Sequence, residues 1–181
     1  MKPADVVRPL LRVHQVREFT DAPVDAEALD AIADAARWSG SSANIQPWRF
    51  VVIRDPGVLR QLADSGPPHT RSLTTAAAAV AIVLPQVKGA AVSNAFDEGR
   101  AAERMLIAAS LLGLGAGIAW LPADARPAVG ELLGLPDGRF VRTVVAIGHS
   151  TARASRPKSA KGEARLPRTE TVFSERWETE S

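Results

Sequence analysis

The sequence predicts one α+β domain, and three observations predict it. At 181 residues, 46% of them apolar, the chain is long enough to bury a single sizeable core. Apolar residues recur at helical spacing over 25–37 and 96–112. Short apolar or β-branched runs at 48–54, 79–84, 118–121 and 140–147 read as strands.

A short helix is expected over 4–13, with Val6, Leu10 and Val13 inward and Pro9 weakening its interior. A basic, partly alternating segment, Arg12 to Thr20, leads into a loop ending at Pro23. Asp25 suits the N-cap of a helix that carries Leu29, Ile32, Ala33 and Ala36 on one face and stops at Trp38. Asp55-Pro56 reads as a cap followed by a first-turn proline, opening a helix near 57–64. The run Ala79 to Leu84 is uniformly apolar, which predicts a strand central to its sheet. A loop is expected over 87–95. The alanine-rich helix from Phe96 to Leu112 is expected to be the buried one, because alanine lets neighbours approach closely. Gly113 to Gly117 ends it; the order is helix, glycines, strand, the reverse of a dinucleotide fingerprint. A helix at about 127–133 and a turn at Pro136-Asp137-Gly138 precede the strand at 140–147.

The compact core is therefore drawn at 1–148, with 149–181 as a C-terminal arm. From 151 to 168 the arm carries six basic residues against the single acid Glu163. It then returns to apolar residues in a possible edge strand, Thr169 to Phe173, and Trp177. Apolar residues beyond a polar tether predict that the arm wraps over another surface.

Composition excludes several classes of function. With no cysteine there is neither a disulfide nor a thiolate site, and the three histidines have no ligand-spaced companions, so no metal is expected. Net charge is only +2, and no Lys/Arg run is interleaved with aromatics, which argues against nucleic acid. No 18-residue stretch is apolar enough to span a bilayer, and the first residues lack a signal-peptide pattern. A cytoplasmic protein with no membrane partner is expected.

The most informative stretch is Ser39 to Ile53, SGSSANIQPWRFVVI. Glycine, serines, asparagine and proline stop the preceding helix, and Trp48 to Ile53 starts a strand. The loop between them is rich in hydrogen-bonding side chains and suits a planar, heteroatom-rich ligand; a capped surface turn is the alternative. Three segments together resemble the FMN-dependent nitroreductase family. Val13-His14-Gln15-Val16-Arg17-Glu18-Phe19 is similar to its N-terminal Arg-Arg-Ser-Val-Arg-x-Phe motif. Ser41-Ser42-Ala43-Asn44-Ile45-Gln46-Pro47-Trp48 is similar to its central signature. Asp97 to Ala109 with Gly113-Leu114-Gly115 and Trp120, and later Arg165-Leu166-Pro167, complete the order.

The resemblance implies an α+β sandwich, a central mixed or antiparallel sheet flanked by helices, in a homodimer that exchanges C-terminal arms. It implies non-covalent FMN at the dimer interface, NADH or NADPH as donor, and a nitroaromatic, quinone or similar small acceptor served by a ping-pong mechanism at flavin N5. Arg17 and Arg165 match phosphate-binding arginines, with Arg12 or His14 assisting. Ser41, Ser42, Asn44 and Gln46 match residues near the flavin and its ribityl chain, and Gly115 and Gly117 match positions of close backbone approach. No side chain is expected to act as catalytic acid or base. Two departures stand out: Val13 and Gln15 replace the usual arginine and serine, and Gly40 replaces the proline before the signature. They leave room for a deazaflavin in place of FMN. A flavin-binding module with another redox role or without turnover is the alternative function.

Overall fold

The computed structural model describes residues 2–155 and 165–177. At its centre is a four-stranded sheet in the order β1-β2-β4-β3, formed by β1 (Arg49–Ile53), β2 (Ala78–Pro85), β3 (Gly115–Trp120) and β4 (Arg139–Gly148). All three pairings are antiparallel. β2 is an inner strand, as its composition predicted, and the reason is visible in its two faces. Ala78, Val80, Ile82 and Leu84 pack with Leu29, Trp48 and Met105 on one side. Ala79, Ala81 and Val83 pack with Leu59, Leu62 and Leu73 on the other. A strand covered on both faces has no position for a polar residue.

Two helical layers provide that cover, giving the α/β sandwich. α2 (Ala26–Arg37) and α4 (Ala91–Leu111) lie on one face. α3 (Pro56–Asp64) and α5 (Arg126–Leu132) lie on the other. Asp55 caps α3 as expected, its Oδ1 accepting from Gly57 N at 2.7 Å and Val58 N at 2.9 Å. Asp25 occupies the N-cap of α2, but its carboxylate makes no capping bond. No helix among the described residues is long and apolar enough to cross a membrane.

Four sequence expectations are corrected. α4 starts at Ala91, inside the segment expected to be a loop, because Asn94 N already bonds Ala90 O at 2.8 Å and the alanines around it sustain the helix. β3 starts at Gly115, so two glycines assigned to a turn belong to the strand. α1 (Pro3–Leu11) forms, yet none of its residues is buried, so Val6 and Leu10 do not face a core of this chain. Residues Arg168–Thr171 form one helical turn, α6, where an edge strand over 169–173 was expected. Pro167 precedes that turn, and Thr171 Oγ1 donates to its carbonyl at 3.2 Å, closing the backbone locally.

The first residues after Gly148 pack against the chain's own N-terminal segment. Phe19 bridges Ser150, Thr20 N donates to His149 O at 2.8 Å, and Thr151 N donates to Glu18 O at 3.3 Å. The chain thus stays packed on itself beyond Gly148, as far as Ala154, which lies against the core. The basic run counted over 151–168 falls partly, at 156–164, outside the described residues.

Candidate functional site

The loop between α2 and β1 is strained and heavily restrained. Three of its non-glycine residues sit in the left-handed region: Ala43 at φ 47°, Asn44 at 56° and Gln46 at 51°. Such conformations cost about 1–3 kcal/mol each and persist only where the surroundings impose them. Within the loop, Ser41 Oγ accepts from Gln46 N at 2.8 Å and Ser41 O accepts from Asn44 N at 3.1 Å. From outside, Asp97 Oδ2 on α4 accepts from Ser42 N at 3.0 Å. Asp97 is only 2% exposed, so this charge-assisted bond is well shielded.

α4 supplies two more restraints on the same face, at spacings of three and seven residues from Asp97. Arg100 lies 3.8 Å from Asp97 Oδ1 and rests against Gly40, where an added Cβ would overlap its guanidinium. Arg104 Nη1 donates to Trp38 O at 2.7 Å, holding the end of α2. Gly40, which replaces the proline before the signature, is thus the point where α4 reaches over the loop. Sequence reasoning missed Asp97, Arg100 and Arg104 as loop anchors. Their charges on one face of an otherwise alanine-rich helix were the available signal.

The anchored loop presents a pair of amides. Gln46 Nε2 donates to Asn44 Oδ1 at 3.1 Å and to Asn44 O at 3.2 Å. Both residues are exposed, and this pairing leaves Asn44 Nδ2 as a donor and Gln46 Oε1 as an acceptor. Arg49 turns back onto the loop backbone, its Nη1 donating to Trp48 O at 2.7 Å, and Trp48 is buried in the core. The structure therefore brings Ser41, Ser42, Asn44 and Gln46 into one compact unit.

The N-terminal motif lies along β3. Val16 N donates to Ala116 O at 2.9 Å, and Gln15 Oε1 accepts from Ile118 N at 2.7 Å. Gly115 and Gly117 both lie against this segment. A Cβ on Gly117 would overlap the Val16 carbonyl, and one on Gly115 would overlap Ser150 Oγ and crowd Val16. The close approach these glycines permit is made by the chain's own Val16 segment. Gln15, standing where the family motif has serine, is occupied with β3. His14 is already engaged, with Nδ1 3.0 Å from Arg12 O and Nε2 3.4 Å from Ala154 O. Arg12 and Arg17 are exposed, and among the described residues neither guanidinium forms an ion pair or hydrogen bond. Arg165 is exposed at the start of the second described stretch.

The overall fold is shared with proteins of known class. A model of the nitroreductase family matches residues 14–81. A protein of Archaeoglobus fulgidus, named as an NADH dehydrogenase/NAD(P)H nitroreductase, is 31% identical over 140 residues, 74% of this chain and 79% of its own. This chain belongs to the nitroreductase family. Among solved structures, a nitroreductase-type protein of Desulfovibrio desulfuricans in complex with FMN superposes with a TM-score of 0.80 at 26% identity, covering 98% of this chain and 99% of that one. The NADPH:FMN oxidoreductase of Vibrio harveyi, complexed with NAD+, shares the fold with a TM-score of 0.80 at 22% identity, over 98% and 80% of the two chains.

Proposed function

We propose that this protein is an NAD(P)H-dependent oxidoreductase that holds FMN non-covalently at the interface of a homodimer and reduces a nitroaromatic, quinone or similar small acceptor. The observation that carries this reading is the restrained signature loop, whose hydrogen-bonded Asn44–Gln46 pair leaves one amide donor and one amide acceptor. A flavin's pyrimidine edge alternates carbonyl acceptors with an N–H donor, so the Asn44–Gln46 pair is chemically matched to it. When bound, FMN supplies hydride acceptance and donation at N5.

The chain's own residues have positional and electrostatic tasks. Ser41 and Ser42 keep the loop in its left-handed turn, and the serine hydroxyls have donor capacity left for a ribityl chain. Asn44 and Gln46 orient the ring and polarise it; neutral amides transfer no proton near pH 7, so their contribution is preorganisation. Arg17, exposed and without a side-chain partner among the described residues, is suited to a terminal phosphate, and Arg165 is assigned the same task. The C-terminal arm, through its described apolar residues Val172, Phe173 and Trp177, is assigned to the partner's surface. Family membership and the similarity to the Desulfovibrio FMN complex support the reading.

The test is the absorbance spectrum of the purified protein, the mass of its released cofactor, and NAD(P)H oxidation with menadione or a nitrofuran. A bound FMN with turnover is expected. A yellow protein that does not oxidise NAD(P)H would instead be a binding module. Arg17→Ala and Arg165→Ala are expected to weaken FMN by about 1.5–3 kcal/mol, the scale of a charged hydrogen bond left unmade. Riboflavin, which lacks the phosphate, should be far less affected, and equal losses for both ligands would place these arginines elsewhere.

A further inference from the structure

A second concave site lies at the end of the sheet, between the β2–α4 connection, α5 and the start of β4. Its cavity measures about 690 Å³, within the range that accommodates small organic ligands. Its walls include the apolar Val87, Leu135 and Phe140 and three guanidinium groups, those of Arg126, Arg139 and Arg142. All three arginines are half-buried.

The charges in this cavity do not balance. Arg142 is satisfied: Nε and Nη2 both donate to Oε2 of Glu98, which is 2% exposed, and the group stacks 5.1 Å from the centre of the Trp120 ring. Arg126 is not. Its Nε donates to Leu121 O at 3.3 Å and its guanidinium sits 5.7 Å from the centre of the Phe140 ring, which leaves both terminal nitrogens over. Arg139 spends one nitrogen on Pro47 O at 3.3 Å. Among the described residues neither Arg126 nor Arg139 forms an ion pair. Glu131 and Asp137 also line the cavity, but both are exposed and bind none of the three arginines. The pKa of Arg126 is lowered by burial and then by Arg142, with Glu98 acting in the opposite direction. The one buried carboxylate is bonded to Arg142 alone, so Arg126 beside it carries positive charge with no ion-pair partner among the described residues, in a partly dry setting.

We propose that this cavity binds a small organic carboxylate, its charged end on Arg126 and its apolar body against Val87, Leu135 and Phe140. A carboxylate presents two coplanar oxygens that fit a guanidinium fork, and here the fork is aligned by the Phe140 ring. A free inorganic anion would meet the arginines and leave the apolar wall uncovered. The inference goes beyond the flavin reading and does not need it, because none of the residues assigned to flavin lines this cavity.

The protein as purified is titrated calorimetrically with cyclohexanecarboxylate, with neutral cyclohexanecarboxamide and with inorganic phosphate. The carboxylate is expected to bind at least tenfold tighter than the carboxamide. Arg126→Gln should lower its affinity at least tenfold without changing flavin content. Arg126→Lys keeps the charge but loses the fork and should weaken the carboxylate several-fold, which provides the test if Arg126→Gln does not fold. Equal binding of carboxylate and carboxamide overturns the proposal, as does unchanged carboxylate affinity in the folded Arg126 variants. Displacement of the carboxylate by phosphate at equal or lower concentration overturns the assignment of ligand class.

Discussion

At the scale of single residues, the candidate site depends on side chains remote in sequence from the loop they hold. Asp97 is 55 positions from Ser42, and its buried carboxylate receives the amide that fixes the 3-10 turn Ser42–Asn44. Asp97→Ala should cost about 1.5–3 kcal/mol of stability, the value of a hydrogen bond to a charged group, measured by urea denaturation. The loss should fall on flavin affinity as well, because the left-handed residues lose the restraint that opposes their strain. Stability lost with flavin affinity unchanged would mean that the loop keeps its shape without α4. At Gly40 the obstacle to a side chain is a flexible guanidinium end, so Gly40→Ala should displace Arg100 at a cost below about 1 kcal/mol. Combined with Arg100→Ala, that cost should vanish, a non-additivity readable in a double-mutant cycle. The loop amides were legible in sequence because turn-forming residues announce themselves locally. Asp97 was not, because a helix reading sorts residues into apolar and polar faces and says nothing about which polar residue meets which loop.

At the scale of elements, the inner strands and the helices covering them were legible from apolar periodicity, since both signals are local and strong. The misreadings occurred where a tertiary neighbour overrides local preference. Gly115-Ala116-Gly117 has the composition of a turn, but it is strand because it pairs antiparallel with β4, and Val16 and Gln15 hydrogen-bond along it where added side chains would not fit. That arrangement makes a severe prediction. Gly117→Ala places a methyl group onto the Val16 backbone carbonyl, and backbone on both sides leaves no flexible end to move. A loss of about 1–3 kcal/mol or more is expected, readable as a shift in the urea midpoint. A wild-type midpoint would show that the N-terminal motif does not lie on β3 in solution. Because that motif carries Arg17, the same variant should also reduce FMN binding.

At the scale of the whole molecule, the described residues leave an extended apolar surface uncovered. Val6, Val7, Leu10 and Leu11 are exposed along α1, and Val92, Phe96 and Leu111 along the outer face of α4. Trp38, at the entrance to the signature loop, is 70% exposed, and Trp177, beyond α6, is 76% exposed. Scattered exposed hydrophobics are ordinary, but apolar residues repeated along two helices mark an interaction face. Trp177 and Phe173 make a tilted ring contact, centroids 4.6 Å apart, in a segment that stays largely exposed on its own chain. A homodimer is therefore expected, with α4 near its centre and the arm beyond Ser155 crossing to the partner. Truncation after Ser155 keeps the contacts of His149, Ser150 and Thr151 with Glu18, Phe19 and Thr20 and removes the residues expected to cross. It should yield aggregated or flavin-free protein in sedimentation velocity with flavin quantitation. Phe96→Asp tests the other half of the interface, since a charge there opposes burial without disturbing the inward face of α4. It should give monomer that unfolds at lower denaturant and retains little flavin. A truncated chain that remains a soluble dimer at full flavin occupancy would eliminate arm exchange while leaving the α4 interface standing, and a dimeric Phe96→Asp protein would eliminate the latter.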